Sequence, residues 1–466
     1  MKTFDEIYVL DLHGNSLKKE KCPDGSKDEN VFDIRQGVAI ALFVRNKEAK
    51  KPKVFHLDKY GLREEKYEWL NSNEFNEKNY NEIKPASPWH FFIPRNTSHI
   101  QQYLKWKKIN EVFPINVTGI VTARDKFVIG FKKNEIKNRI LQFRNLSLPD
   151  EIIKQTYNLK DTRGWKISAA RKKLSDDTDW NSYYQKILYR PFDMRTIYYT
   201  DKMVDWGRPE VMRHMLEENI GLLTCRQISS TTWIHALVSE NLVDDSLISN
   251  KTKERTYTYP LYIFPDKNKK DLFNQHQAEK EPNIPPALFD KLSFHYGKKP
   301  TPEDILYYIY GVFYSNIYRE TYAEFLKIDF PRVPFTADYD LFKKMGELGK
   351  ELADLHLLKS PALNPPVAKY QGSSDNDRVE KIAYKEDEQR IYINEDKYFE
   401  GIAPKVWNYH IGGYQVLNKY LKARKGRNMD DAPHYCRIVT ALSKTIEIQK
   451  KIDEIYPEVE KELIDF

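Results

Sequence analysis

The residues best suited to chemistry lie between Tyr189 and Gln227, YRPFDMRTIYYTDKMVDWGRPEVMRHMLEENIGLLTCRQ, where five arginines occur with a single lysine. Tyr189, Phe192, Tyr198, Tyr199 and Trp206 are interleaved with them. A guanidinium fork beside an aromatic face suits planar, bidentate recognition of bases and phosphates. Six acidic residues match the six basic ones, however, so the stretch is not a simple electrostatic patch. The plain alternative is a packed strand and helix whose arginines form surface ion pairs. A second stretch, GGYQVLNKYLKARKGR (412–427), carries Lys419, Lys422, Arg424, Lys425 and Arg427 with no acidic residue among them. Its composition is that of a face contacting phosphates.

Catalytic signatures are missing from the sequence. It holds no GxGxxG, Walker loop, GxSxG, HExxH or CxxC. His434 and Cys436 lack partners at ligand spacing and read as ordinary helix residues. Pro265-Asp266 is followed by lysines and no ExK, which argues against a nuclease core. Asn364-Pro365-Pro366-Val367 is similar to the NPPY/F tetrapeptide of amino-methyltransferases, but Val367 stands where that motif has an aromatic, so a structural turn is expected.

Several elements must position the basic and aromatic residues. Apolar runs at 7–14, 37–46 and 54–61 read as strands, and the segment 62–110 is polar with Trp69, Trp89 and Trp106 as anchors. Strand character returns at 111–131 around Thr122-Ala-Arg-Asp, a turn expected to place Arg124 and Lys126 at a tip. The stretches 167–174 and 180–189 read as helices, RTIYYTD as a strand, and Trp206-Gly-Arg-Pro as a helix start with Pro209 in the first turn. Further strands are expected in STTWIHALVSE and YTYPLYIFP, and polar linkers or excursions at 266–301 and 359–389. Helices follow from Pro302, among them one with a seam at Leu341, Met345, Leu348, Leu352 and Leu355. The segment 390–402 reads as a hairpin, and a terminal helix from His434 to about Tyr456 is expected to pair with 339–358.

A chain of 466 residues with 40% hydrophobic and 13% aromatic content is long and apolar enough for about two to four folded domains. Its net charge of +7 permits a polyanionic partner without requiring one. Cys22, Cys225 and Cys436 are too few and too far apart for a disulfide framework or a thiolate zinc site. No apolar run approaches the length of a membrane span. A soluble, cytoplasmic protein with no membrane association is expected.

The order of FDEIYVLDLHGN, VFDIRQGVAIALFVRN, TARDKFVIGF, ILYRPFDMRTIYY, GRPEVMRHML, SNKTKERTYTYPLYIFP, Tyr318-Arg-Glu-Thr-Tyr322, DFPRVPF and GGYQVLNKYLKARKGR resembles the C-terminal part of type ISP and related fused type II restriction–modification enzymes. In that family a γ-class adenine-N6 DNA methyltransferase is followed by a target recognition domain. The resemblance covers essentially the whole chain. It implies an α+β fold with residues 1–61 as the terminal strands of a methyltransferase sheet, 62–301 as the β-rich part of the recognition domain and 302–466 as its helical part. S-adenosylmethionine is implied for the complete enzyme but not for this chain, whose sequence lacks the glycine motif and NPPY. VFDIRQGVAI matches a late methyltransferase motif, which makes Phe32 the candidate to stack on a flipped adenine.

The resemblance makes double-stranded DNA the expected partner, together with a methyltransferase, nuclease and helicase portion upstream or on a separate subunit. Arg124, Lys126, Arg208, Arg226 and Gln227 are the candidates for base or groove contact. Lys419, Lys422, Arg424, Lys425 and Arg427 are the candidates for phosphates, with Tyr189–Gln227 mainly architectural and only its ends touching DNA. Two alternatives stand beside this reading: an adenine methyltransferase active in its own right, and a protein-interaction scaffold.

Overall fold

Four consecutive apolar residues, Ile7 to Leu10, give the strand Glu6–Asp11 two buried faces, because successive side chains point to opposite sides. Ile7 and Val9 pack with Val54, Phe4, Ile83 and Phe92 on one side. Leu10 packs with Leu12, Val31, Leu57, Trp69 and Leu70 on the other. The computed structural model describes residues 3–17, 19–45, 52–266 and 280–466. Its first sheet has the order Ala39–Val44, Glu6–Asp11, Lys53–Asp58, Asn81–Ile83. Glu6–Asp11 runs parallel to Lys53–Asp58 and antiparallel to Ala39–Val44. The expected strand at 37–46 is thus present, although Asn46 lies outside the described residues.

The chain divides into two compact units, residues 1–100 and 101–466. The division does not fall after residue 61, because the helix Arg63–Ser72 covers the first sheet with Trp69 and Leu70. Its buried Lys66 donates to Asp28 at 2.7 Å and to the carbonyls of Leu12 and Glu29. Within the second unit the Tyr314 hydroxyl donates to the Ala236 carbonyl at 2.9 Å, which ties the helical part to the β-rich part. The fold is mixed α+β, as expected.

In the second unit one four-stranded sheet has the order Ala236–Ser239, Gly221–Cys225, Thr256–Pro260, Val117–Thr118. Another has the order Leu242–Val243, Tyr184–Arg190, Asp193–Tyr198, Ile129–Gly130. Residues 180–189 were expected to be helical, yet Tyr184–Arg190 is a strand paired antiparallel with Asp193–Tyr198. Pairing with a neighbour and burial of Ile187 and Leu188 override the local spacing. The expected linker at 266–301 contains the helix Pro286–Tyr296, which buries Leu288, Phe289, Leu292 and Tyr296; residues 267–279 lie outside the described residues. The expected excursion at 359–389 contributes Lys369–Gln371 and Ala383–Lys385 to a four-stranded sheet with the 390–400 hairpin.

The helices Pro302–Tyr314, Tyr339–His356 and Ala432–Val459 form the helical core. The seam of the second is displaced by one position at two of its turns, with Phe342 and Gly349 buried in place of Leu341 and Leu348. Gly349 is needed because a Cβ there would lie 1.9 Å from the Tyr307 carbonyl oxygen, so only glycine lets the two helices approach. Buried tyrosines fill the core, and their hydroxyls find partners: Tyr310 with His356 Nδ1 at 2.6 Å, Tyr318 with the Arg332 carbonyl at 2.7 Å, Tyr322 with Glu460 at 2.8 Å.

Candidate nucleic-acid interface

The hairpin of Tyr184–Arg190 and Asp193–Tyr198 sets Arg190 directly opposite Asp193. Arg190 donates to Asp244 at 2.6 Å and lies over the Tyr189 ring at 3.9 Å. Arg195, on the neighbouring strand, donates to Asp193 at 2.6 Å and stacks on both Tyr189 and Phe131 at 4.2 Å. The short helix Val416–Lys422 buries Val416, Leu417, Tyr420 and Leu421, which leaves its cations toward the outside. Arg424, just beyond it, donates to the other oxygen of Asp193 at 3.0 Å and lies 3.4 Å over Tyr420. Arg424 and Arg427 also reach the Phe131 ring, at 4.9 and 4.6 Å. One half-buried phenylalanine therefore gathers three guanidiniums from two distant parts of the sequence.

These cations outnumber the carboxylates among them. Asp193 serves two arginines, Asp244 serves Arg190, and Glu135 serves Arg427 at 2.8 Å. Lys419 shows the result: burial, then the nearby charges of Arg190 and Arg195, hold its ammonium below the usual lysine range. The surplus of positive charge around it, and not the burial, is what favours an anion there. Lys422, Lys425 and Arg427 are exposed at its edge.

A second group of cations sits at the end of the Gly221–Cys225 and Thr256–Pro260 strands. Cys225 is the partner of Thr256, so Arg226 and Arg255 leave the sheet side by side. The two loops there are clamped by Glu254, which is fully buried. Its carboxylate accepts the backbone N–H groups of Ser229 and Ser230 at 2.7 and 2.9 Å, both serine hydroxyls, and His235 Nε2 at 3.1 Å. Burial opposes ionisation of Glu254, but this set of donors holds its carboxyl well below the usual carboxylate range. Trp206 lies beside these loops with its ring half exposed, flanked by Arg208 at 5.2 Å and Arg255 at 5.7 Å.

The expected site residues fall into three groups. Lys419, Lys422, Arg424, Lys425 and Arg427 come together with Arg190 and Arg195, so the start of the Tyr189–Gln227 block belongs to the basic face and not to the scaffold alone. Arg208, Arg226 and Gln227 lie at the sheet end, where Gln227 is exposed and Arg226 bonds to Asp329 at 3.1 Å. Arg124 is not at an exposed tip. It is buried, donates to the Met203 carbonyl at 2.6 Å and to Asp205 at 2.5 Å, and lies 3.9 Å over Trp165, because a guanidinium with those partners is a better internal brace than a loop end. Lys126 remains exposed, on a cleft of about 380 Å³ formed with Tyr157–Thr162. The sequence reading passed over Arg190, Arg195, Phe131 and Arg255. The available signal was alternation, since Arg195 follows Asp193 at a two-residue step on a strand.

In the first unit Phe32 is 56% exposed and is not a core residue. Its backbone is fixed all the same: Asn30 accepts its N–H at 2.8 Å and Arg63 donates to its carbonyl at 3.1 Å. Asp11, His56 and Asp58 converge within 4.8 Å, a spacing that could hold a metal ion, but Asp58 is already bonded to His13 at 2.8 Å. Asn364–Val367 forms a turn after Pro361–Leu363, with the Val367 N–H donating to Thr440 at 2.9 Å. Cys22, Cys225 and Cys436 are free, and among the described residues no helix is long and apolar enough to cross a membrane.

Residues 111–451 match the family model of the type ISP C-terminal specificity domain. The fold is similar to that of the ATP-dependent type ISP restriction–modification enzyme LlaBIII bound to DNA, with a TM-score of 0.72 at 23% identity over 97% of this chain and 31% of that one. It is also similar to a nuclease-deletion mutant of the type ISP enzyme LlaGI in complex with a DNA substrate mimic (TM-score 0.66, 21% identity, 96% and 44% of the two chains). A third is the DrdV–DNA complex (TM-score 0.67, 22% identity, 98% and 48%). The chain thus spans from 31% to 48% of the length of these proteins. No curated protein matches the sequence.

Proposed function

Because the chain belongs to the type ISP C-terminal specificity domain family, we propose that it is the DNA-recognition portion of a restriction–modification enzyme. In that role it positions an adenine-N6 methyltransferase and a nuclease on a target sequence. The observation that carries the reading is the cluster of Arg195, Arg424 and Arg427 around Phe131 with Arg190, Lys419 and Lys422 near it, which lies wholly within the matched residues. An excess of fixed cations in a half-buried surface favours a polyanion, and the three similar structures are named as complexes with DNA or a DNA mimic. Phosphates would be held at this cluster, and bases would be read at the end of the sheet that bears Arg208, Arg226, Gln227 and Arg255.

Residues 1–61 are proposed to supply the last strands of the methyltransferase sheet. Ala39–Val44 lies at the sheet edge with Ile40, Leu42 and Phe43 exposed, an apolar edge of the kind that proteins cover. Phe32, exposed on a braced backbone, fits stacking against a flipped adenine. Methyl transfer and S-adenosylmethionine then belong to a portion outside residues 1–466, and the setting is the cytoplasm.

Fluorescence anisotropy with a labelled duplex tests the proposal. Binding should be strong at about 50 mM salt and weaken linearly in log salt. Absence of any affinity for duplex DNA at that salt would favour a protein-interaction scaffold. Calorimetric binding of S-adenosylmethionine would instead favour a methyltransferase active in its own right.

A further inference from the structure

We infer that Trp206, Arg208 and Arg255 form a base-reading head that selects guanine in duplex DNA. The inference rests on the DNA-recognition reading above and adds which side chains decide the sequence.

Trp206 is held in place while its ring is left in water. Its backbone exchanges two hydrogen bonds with Val121, at 3.0 and 3.1 Å. The next residue, Gly207, accepts the Tyr199 hydroxyl at 2.6 Å on its carbonyl. Arg208 has a left-handed backbone with φ of 57° and precedes Pro209, the first residue of a helical turn, so its direction is fixed as well. The fold thus confines this turn tightly and still leaves the indole 50% exposed, giving up much of the stabilisation that burying an aromatic ring provides.

The two guanidiniums flanking the ring come from separate segments. Arg208 lies two residues on in sequence, whereas Arg255 arrives from the loop clamped by Glu254. Stacking on an indole uses the face of a guanidinium and leaves the N–H donors at its rim available. Arg255 is held loosely, with Asp245 3.7 Å away and its side chain 42% exposed, whereas Arg208 Nε is buried, which leaves at most the two terminal nitrogens of that fork for a base. A stacked fork with unused in-plane donors matches the O6 and N7 acceptors that guanine presents in the major groove. The ring supports the forks and excludes water from the contact.

The test is selection of duplexes from a random-sequence pool by the full chain and by Arg255→Gln, Arg255→Lys, Arg208→Gln and Trp206→Ala variants, followed by sequencing. The wild type should enrich a motif containing guanine. The arginine variants should lose the preference at one such position and retain the rest of the motif. Affinity for the wild-type duplex should fall about ten- to hundredfold in each glutamine variant, with lysine at position 255 restoring only part of it, because an ammonium lacks the planar fork. Replacing that guanine by 7-deazaguanine should weaken the wild type and leave the variant that has lost the contact unaffected. Unchanged melting temperatures show that the variants fold. If all variants enrich the same motif, or if lysine restores full affinity at 255, these residues hold phosphates and the inference is overturned. A wild type that binds duplex DNA without enriching any sequence also overturns it. A wild type that binds no duplex at all removes the recognition reading itself.

Discussion

Replacing Lys419, Lys422 and Lys425 together by glutamine isolates the electrostatic part of the proposed interface. The three project from or just beyond one short helix, and Lys422 and Lys425 are exposed. Each cation that neutralises a phosphate contributes about 0.9 to the slope of log affinity against log salt, so three should contribute about 2.7. At about 0.1 M salt this corresponds to roughly an eightfold loss per contact and about a 500-fold loss for the triple variant, and the loss should vanish toward 1 M. Stability should not suffer. Burial and the charges of Arg190 and Arg195 already disfavour the ammonium of Lys419, so removing it relieves repulsion and the melting temperature should hold or rise. The assay is anisotropy of a labelled duplex across a salt series, with thermal melting as the control. A variant with the wild-type slope and a normal melting temperature would refute the assignment of phosphates to this face. A variant whose affinity falls equally at all salt concentrations would show that the lysines act through shape and not through charge.

Three further outcomes follow from the packing. Glu254→Ala leaves His235 and the donors of Ser229 and Ser230 without their buried acceptor; urea unfolding should show a loss of about 3–5 kcal/mol, and the Arg226–Gln227 loop should become sensitive to protease. Gly349→Ala forces a Cβ against the Tyr307 carbonyl, so the helix pair must separate; a loss of about 2 kcal/mol or more is expected in the same measurement. Burial holds the His356 imidazole down to about 3, well below its unfolded value near 6.5. The unfolded chain therefore binds the extra proton between these values, and stability should rise with pH through that window by about 1.4 kcal/mol per unit for this residue. His356→Gln should flatten the profile by that amount; an unchanged slope would mean that His356 is protonated in the folded state.

Much of the fold could be read in the sequence because local pattern and final environment agree there. The strands at 6–11, 39–44 and 53–58 are short apolar runs, and the helices from Pro302 onward carry the helical period. Composition also identified the cationic run at 419–427, since a helix that buries Val416, Leu417, Tyr420 and Leu421 must turn its lysines outward. Co-linear motifs over the whole chain were enough to indicate the family, although individual segments said little. What the sequence could not determine was which of its arginines face outward. Arg124 and Arg195 both sit near a turn with an aspartate one or two residues away, yet one is enclosed by Met203, Asp205 and Trp165 and the other joins Arg424 and Arg427 at Phe131. The Asp205 that pairs with Arg124 is 81 residues away, and the Asp193 that Arg195 shares with Arg424 is 231 residues from Arg424. Tyr184–Arg190 became a strand, and Arg255 came beside Trp206, for the same reason. A charge at a surface and a charge in a brace have the same local sequence. Only tertiary structure decides between them, because the desolvation of a guanidinium is offset by groups that the fold brings from elsewhere.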